Sequence, residues 1–184
     1  YKQFIYIFIC YKRLFIYHYY EIGPIFIFSV YLNTMAINKK IRFIDLFAGL
    51  GGIRIGLEQA LKKDGLMGKC VFTSEIKPHA VSVYKKNFNN EEIHGDITVI
   101  KEDSLPDFEI LLAGFPCQPF SSAGTRKGFG DTRGTLFFDI ERILKAKKPV
   151  GFLLENVEGL TNHDGGRTLE IILAHLETLG YKVT

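Results

Sequence analysis

From residue 35 onward, short apolar runs alternate with stretches in which apolar positions recur every three or four residues. The first pattern is that of strands buried on both faces, the second that of amphipathic helices. Residues 41–47 form an apolar run that breaks at a glycine-rich turn, after which Ile53, Leu57, Ala60 and Leu61 fall on one helical face. Residues 70–75 repeat the strand pattern, and Pro78 then opens a helix with Ala80, Val81, Tyr84 and Phe88 on one side. A third short run at 93–96 ends in an acid. A polar connection bearing Pro106 covers 98–108, and a fourth run at 109–114 stops at a glycine. Next come a helix with Leu136, Phe137, Ile140, Ile143 and Leu144 in register and a fifth, almost wholly apolar run at 150–157. A last helix aligns Leu169, Ile172, Leu173, Leu176 and Leu179, and residues 180–184 resemble the start of a sixth strand. Strands and helices in alternation predict an α/β fold with a mainly parallel sheet.

The first 34 residues break this pattern. They hold 12 of the 25 aromatic residues, and the first methionine is Met35. Lys12, Arg13, His18, Glu21 and Pro24 cut the leader into apolar pieces too short for a membrane span, and no small-residue cleavage site marks a signal peptide. The preferred reading is that residues 1–34 are upstream sequence read in frame and that the protein starts at Met35. Of the net charge of +3, the leader supplies +2, so the remaining 150 residues carry only +1. That is far from the basic balance of a whole nucleic-acid-binding domain. Cys10, Cys70 and Cys117 are widely spaced and no His stands at ligand spacing, which indicates neither a disulfide framework nor a metal site and fits a reducing cytoplasm.

Candidate chemistry collects at the ends of the apolar runs. The fourth run delivers Cys117 between Pro116 and Pro119 into a loop of Gly and Ser, and prolines on both sides keep such a segment stiff and extended. A free cysteine is more often a small core residue, but these neighbours favour a presented thiol. The turn Phe47-Ala48-Gly49-Leu50-Gly51-Gly52 has the strand, glycine, helix order of a nucleotide-binding unit and lacks the spacing of the dinucleotide fingerprint. Glu75 ends the second run, where an acid can accept from ribose hydroxyls or simply start a helix. Asp96 ends the third, and Glu155 ends the fifth, where an unpaired buried charge would be costly. Residues 124–134 hold three basic residues and little apolar anchoring, a composition that suits a lid over a phosphate-bearing substrate. In an open parallel sheet all these carboxyl ends lie on one rim, where ligands bind.

Phe-Pro-Cys117-Gln, Phe-Ile-Asp45-Leu-Phe47-Ala-Gly-Leu-Gly-Gly and Glu155-Asn156-Val closely resemble the motifs of the cytosine-5 DNA methyltransferases, in order and over residues 42–184. The resemblance implies a Rossmann-like, S-adenosyl-L-methionine-dependent methyltransferase fold, truncated after about the fifth strand. Residues 35–184 would be the N-terminal part of the catalytic domain. It further implies a cofactor site built from Asp45, Phe47, Ala48, Gly49, Leu50, Gly51, Gly52, Glu75, Ile76, Asp96, Ile97, Gly114, Pro116 and Leu136. In it Phe47 packs on the cofactor, Asp96 accepts from the adenine amino group and Ile97 touches the ring. Cys117 would be the nucleophile, Glu155 the acid at the cytosine ring and Asn156 the support of the cysteine loop. Phe115, Gln118, Ser121 and Arg133 would meet the substrate, a cytosine flipped out of double-stranded DNA.

One loop position departs from the pattern, since Ala123 stands where many members have serine. Also absent are the Gln-x-Arg-x-Arg block, the target-recognition region and the closing helix, so the chain alone is expected to show little or no methyl transfer. The resemblance places the protein in the cytoplasm, away from membranes, working as a monomer when complete and paired with a cognate restriction endonuclease. Three alternatives stay open at this point: a relative methylating transfer RNA, a non-catalytic cofactor-binding remnant, or one half of a split enzyme. A cysteine hydrolase is disfavoured because no His follows at a convincing position.

Overall fold

The structure, a computed structural model, describes residues 40–89, 91–116 and 136–183 together with the backbone of 4–10. Its centre is a parallel sheet of four strands: β2 (Lys40–Leu46), β3 (Met67–Ser74), β4 (Ile110–Gly114) and β5 (Gly151–Val157). β1 (Phe4–Cys10), a segment to which the sequence pattern assigned no element, lies antiparallel to β5 and carries the two-residue β6 (Lys182–Val183) on its other side. The order across the sheet is β3-β2-β4-β5-β1-β6. The chain runs outward from β2 to β3 and then crosses to β4 on the other side of β2. This reversal opens a crevice above the carboxyl ends of β2 and β4.

Alternation along each strand sends side chains to two helical layers. Ile44, Leu46, Leu111, Ala113, Phe152 and Leu154 form one large core with Phe137, Ile140, Ile143 and Leu144 of α3 (Leu136–Lys147) and Ile172 and Leu176 of α5 (Arg167–Thr178). Phe43 and Asp45 face the opposite layer, made by α1 (Gly52–Lys63) and α2 (Pro78–Asn87) with buried Leu61, Tyr84 and Phe88. A short α4 (Gly159–Asn162) follows β5.

The α/β fold class expected from the sequence holds, with local differences. The third expected strand, 93–96, is reduced to a single bridge between Ser74 and His94, because Glu91, Glu92, His94 and Gly95 offer no apolar face to bury. β3 starts earlier than the apolar run implied and carries a register shift at Val71, which pairs with neither Phe43 nor Ile44. Such a bulge bends the strand and re-aims the residues beyond it. Here it sets Ser74 beside Leu46 and brings Glu75 out next to the glycine turn. Among the described residues no helix is long and apolar enough to cross a membrane.

Candidate active site

The glycine turn after β2 is tied down by its own backbone and by the end of β3. Ala48 N–H donates to the Ser74 carbonyl (3.1 Å), Gly51 N–H to the Ala48 carbonyl (2.8 Å) and Gly49 N–H to Glu75 Oε2 (2.7 Å). Phe47 enters the turn at φ 53°, a conformation costly for a non-glycine residue. Gly51 lies at φ 86°, and a Cβ there would fall 2.2 Å from Cε2 of Phe88. Gly52 is different. It opens α1, is exposed, and a Cβ on it would meet nothing within 4 Å. The first turn of α1 has no side-chain cap and no acid, which leaves its positive end uncompensated by a side chain among the described residues.

Glu75 is buried and its carboxylate is largely spoken for. Oε1 accepts from Ile76 N–H (2.9 Å) and Lys77 N–H (2.8 Å), and Oε2 from Gly49 N–H (2.7 Å). A carboxylate oxygen accepts about two hydrogen bonds, so Oε2 retains capacity for one hydroxyl. The ribose hydroxyls expected at Glu75 from its strand-end position would meet a carboxylate that already accepts three backbone N–H bonds. Leu50 and Ile76 (64% exposed) stand open on the same rim. Asp96 caps the turn Ile97–Val99 by accepting from Thr98 N–H (2.9 Å).

Two positions expected at the ligand face inward instead. Ile97 is 1% exposed and belongs to the α3 core, and Phe115 is 5% exposed with its ring beside Phe137 (6.2 Å between centroids). Neither side chain lies open for a ring or a base; what Phe115 contributes at the rim is its carbonyl. Asn156, buried on the same face, donates from Nδ2 to that carbonyl (2.8 Å) and accepts at Oδ1 from Val157 N–H (2.9 Å). The backbone leading to Cys117 is thus held from β5, two residues before the thiol. Gly114 and Glu155 pair across β4 and β5, and a Cβ on Gly114 would stand 3.1 Å from Glu155 Oε2 and 3.2 Å from Ile53 Cδ1. Burial pushes the Glu155 carboxyl above its ordinary value, and its Oε1 is buried with no hydrogen-bond partner among the described residues. Pro116 is exposed and Leu136 begins α3. Cys117, Gln118, Ser121 and Arg133 lie outside the described residues.

Asp45 was expected among the cofactor ligands, but its side chain points beneath the glycine turn rather than into the crevice. Oδ2 accepts from the Tyr84 hydroxyl (3.1 Å), which also meets Thr73 Oγ1 (3.2 Å) and accepts from Arg54 Nη1 (3.1 Å). Arg54, only 5% exposed, continues to Glu58 (2.9 Å) and to both oxygens of Glu91 (2.6 and 3.0 Å), with its guanidinium 3.9 Å from the Phe88 ring centre. Sequence reasoning missed this network because Arg54 borders the apolar face of α1 beside Leu61, where a charged side chain reads as solvent-facing; an i,i+4 pair with Glu58 was its local signal. Burial also pushes up the Cys70 thiol, which bonds to Thr73 Oγ1 (3.3 Å).

Asp45 Oδ1 is buried without a hydrogen-bond partner among the described residues, and burial pushes the carboxyl up to about 7 against the lowering pull of Tyr84 and Arg54. In the unfolded chain it ionises near pH 4. Its stabilising contribution is therefore complete below about pH 4 and is lost as the pH rises through about 7. Relative to the wild type, Asp45→Asn is expected to gain about 2 to 3 kcal/mol of stability between pH 5 and pH 8. Urea unfolding at the two pH values checks this, and a pH-independent difference between the proteins would exclude it.

A parallel-centred α/β sheet with a glycine turn, strand-end acids and an open crevice on one rim is the arrangement of a methyltransferase fold, and solved structures agree. The chain is similar to DNMT2 of Spodoptera frugiperda (TM-score 0.58, 27% identity, covering 76% of this chain and 41% of that one). It is also similar to Dnmt2 of S. pombe (TM-score 0.54, 25% identity, 73% and 41%). The profile of C-5 cytosine-specific DNA methylases matches residues 41–184, and the chain belongs to that family. Among curated relatives it is 61% identical over 153 residues to the Type II methyltransferase M.NlaIV of Neisseria lactamica, covering 79% of this chain and 36% of that protein. It is 61% identical over 143 residues to M.HgiCI of Herpetosiphon aurantiacus, covering 78% and 33%. The chain therefore spans about a third of the length of these relatives.

Proposed function

We propose that this chain carries the cofactor-binding and nucleophile-bearing part of a DNA cytosine-5 methyltransferase of the restriction-modification type. The observation that carries the reading is the Glu155-Asn156 pair: a carboxyl kept toward its neutral form beside an amide that holds the backbone running to Cys117. The identity of 61% to Type II methyltransferases supports a DNA substrate over an RNA one.

The rim fits S-adenosyl-L-methionine, which supplies an electrophilic methyl group. Open space at Gly52, the uncapped start of α1, the remaining acceptor site on Glu75, exposed Ile76 and the Asp96 turn would hold its methionine, ribose and adenine parts. Cys117 as thiolate adds to carbon 6 of the cytosine, which makes carbon 5 nucleophilic. Electron density then moves to the ring nitrogen, and Glu155 donates its proton there. Once carbon 5 has taken the methyl group, its hydrogen leaves as a proton to water and the carbon 6–sulfur bond breaks to release the Cys117 thiolate. The Glu155 carboxylate takes back the ring-nitrogen proton, which leaves neutral 5-methylcytosine. Because a stacked base is out of reach, the target is flipped out of double-stranded DNA. We place this activity in the cytoplasm, opposite an endonuclease of the same specificity, and assign residues 35–184 to the catalytic portion and residues 1–34 outside it, so that β1, although paired with β5, is taken as dispensable. Peptides from 1–34 in the native protein would contradict that assignment.

The test is a chimera in which residues 35–184 replace the matching part of M.NlaIV. It is expected to methylate duplex DNA and not transfer RNA offered in parallel, and Cys117→Ser is expected to abolish methylation. A chimera that folds but transfers no methyl group, or methylation undiminished by Cys117→Ser, would refute the proposal. The 184-residue chain alone is expected to transfer little or none.

A further inference from the structure

The connection between Ile93 and β4 is stapled to α3. Farther from the rim, Lys147 Nζ donates to the Leu105 carbonyl (2.6 Å). Nearer the rim a single side chain does more. Arg142 donates from Nη2 to the Ile97 carbonyl (2.6 Å), from Nη1 to the Ile100 carbonyl (2.9 Å) and from Nε to Asp139 Oδ1 (3.0 Å), and Nη1 lies 2.8 Å from Glu102 Oε1. Two acids fix the guanidinium, and the guanidinium fixes the two carbonyls that bracket the turn Ile97–Val99. Its donors form a rigid planar fork, so the spacing of those carbonyls is imposed by α3. Asp96 begins the same turn and is bound to it by the Thr98 N–H. The glycine turn is held by its own bonds to the end of β3, and Glu75 links the two regions, its carboxylate accepting from Gly49 N–H and its backbone N–H donating to the His94 carbonyl (3.1 Å).

We propose that Arg142 is a positioning residue for cofactor discrimination: by pinning the Ile97 and Ile100 carbonyls it sets the Asp96 carboxylate where it accepts from an adenine amino group. This rests on the cofactor reading given above. Arg142 touches no ligand itself; it acts through the turn. Without it the turn keeps its own Val99 and Ile100 backbone bonds, the Thr98 bond to Asp96, the burial of Ile97 and the ties of His94 and Gly95 to β3. The Ile97 and Ile100 carbonyls, however, lose their hold on α3, and the carboxylate loses its fixed angle. Glu75 and the start of α1 keep their own supports. The expected loss is therefore in the preference for adenine and not in nucleoside binding generally.

The experiment uses the 184-residue chain as wild type, Arg142→Ala and Arg142→Lys. Calorimetric titrations with S-adenosylhomocysteine and its inosine counterpart, in which a carbonyl replaces the amino group, measure the preference. Hydrogen exchange of the amides at 98–104 measures the turn. Wild type is expected to prefer the adenine compound about tenfold, as one charge-assisted hydrogen bond implies. Arg142→Ala is expected to bind the two about equally, with exchange at 98–104 about tenfold faster, and Arg142→Lys to fall between, since an ammonium reaches only part of the fork. Arg142→Ala losing affinity for both compounds by the same factor would mark a merely structural role and overturn the proposal. Full retention of the preference, or unchanged exchange, would do the same. A wild-type chain that binds neither compound refutes the cofactor reading and the proposal with it, whereas equal discrimination by wild type and Arg142→Ala refutes the proposal alone.

Discussion

Glu155→Gln in the active chimera is expected to lower methyl transfer by about 10²- to 10⁴-fold, the usual contribution of a positioned general acid. Gln keeps the shape and can still donate a hydrogen bond, but it has no proton to give. The backbone around it is set by strand pairing with β4 and by Asn156, neither of which the substitution touches. Affinity for S-adenosyl-L-methionine should therefore stay within about twofold, because no bond holding the glycine turn involves position 155. The pH profile gives a second readout. Burial raises the Glu155 carboxyl, so the proton-bearing form persists above the ordinary carboxylate range and activity should fall as the pH rises through the raised value. In the Gln protein that alkaline fall should be missing. Rates near wild type, or an unchanged profile, would remove Glu155 from the mechanism.

Gly51→Ala is expected to be the most disruptive small substitution for folding, costing about 2 to 5 kcal/mol from left-handed backbone strain and overpacking together. The new methyl would lie 2.2 Å from Phe88 Cε2 and 3.1 Å from Tyr84 Cε2. The Phe88 ring cannot swing aside, because Arg54 covers one side at 3.9 Å and Tyr84 packs at 4.4 Å. Gly52→Ala provides the contrast. Its methyl enters open space, so thermal stability should change little while cofactor affinity is expected to drop under the cofactor placement proposed above. Gly56→Ala, inside α1 with free space around it, should stabilise by about 0.5 to 1 kcal/mol. Thermal melts of the three variants with and without S-adenosyl-L-methionine decide the matter; equal effects at 51 and 52 would mean that the turn is not divided between packing and binding.

The residues that were legible in the sequence are those whose place along the chain decides their role. Apolar runs bounded by glycine or an acid located the ends of β3, β4 and β5, and so put Glu75, Gly114 and Glu155 on one rim. Which way a side chain points was harder to read. In a strand or strand-end covered on both faces, apolar residues follow one another without alternation, so nothing in Gly114-Phe115-Pro116 or Asp96-Ile97 says that Phe115 and Ile97 turn into the core. Arg54 and Asp45 were hidden for a related reason. Their burial depends on Glu91, Tyr84 and Thr73, partners from other elements that local pattern cannot supply. The shift at Val71 leaves no mark in composition, although it sets where Glu75 emerges.

The place of β2 in the sheet bears on how the chain comes off the ribosome. β2 is made before β3 and β4 yet lies between them, and its partner at the β4 edge is distant: Arg42 and Glu109, joined at that edge by a bond of 2.7 Å, are 67 residues apart. At about 5 to 20 residues per second, the β4 side of β2 waits roughly 3 to 13 seconds for its complement. Through that interval an apolar strand presents unsatisfied N–H and C=O groups to every neighbouring nascent chain. The yield of folded protein should therefore depend on translation speed and on growth temperature, with slow, cool expression and a holding chaperone recovering material that fast, warm expression loses to aggregates.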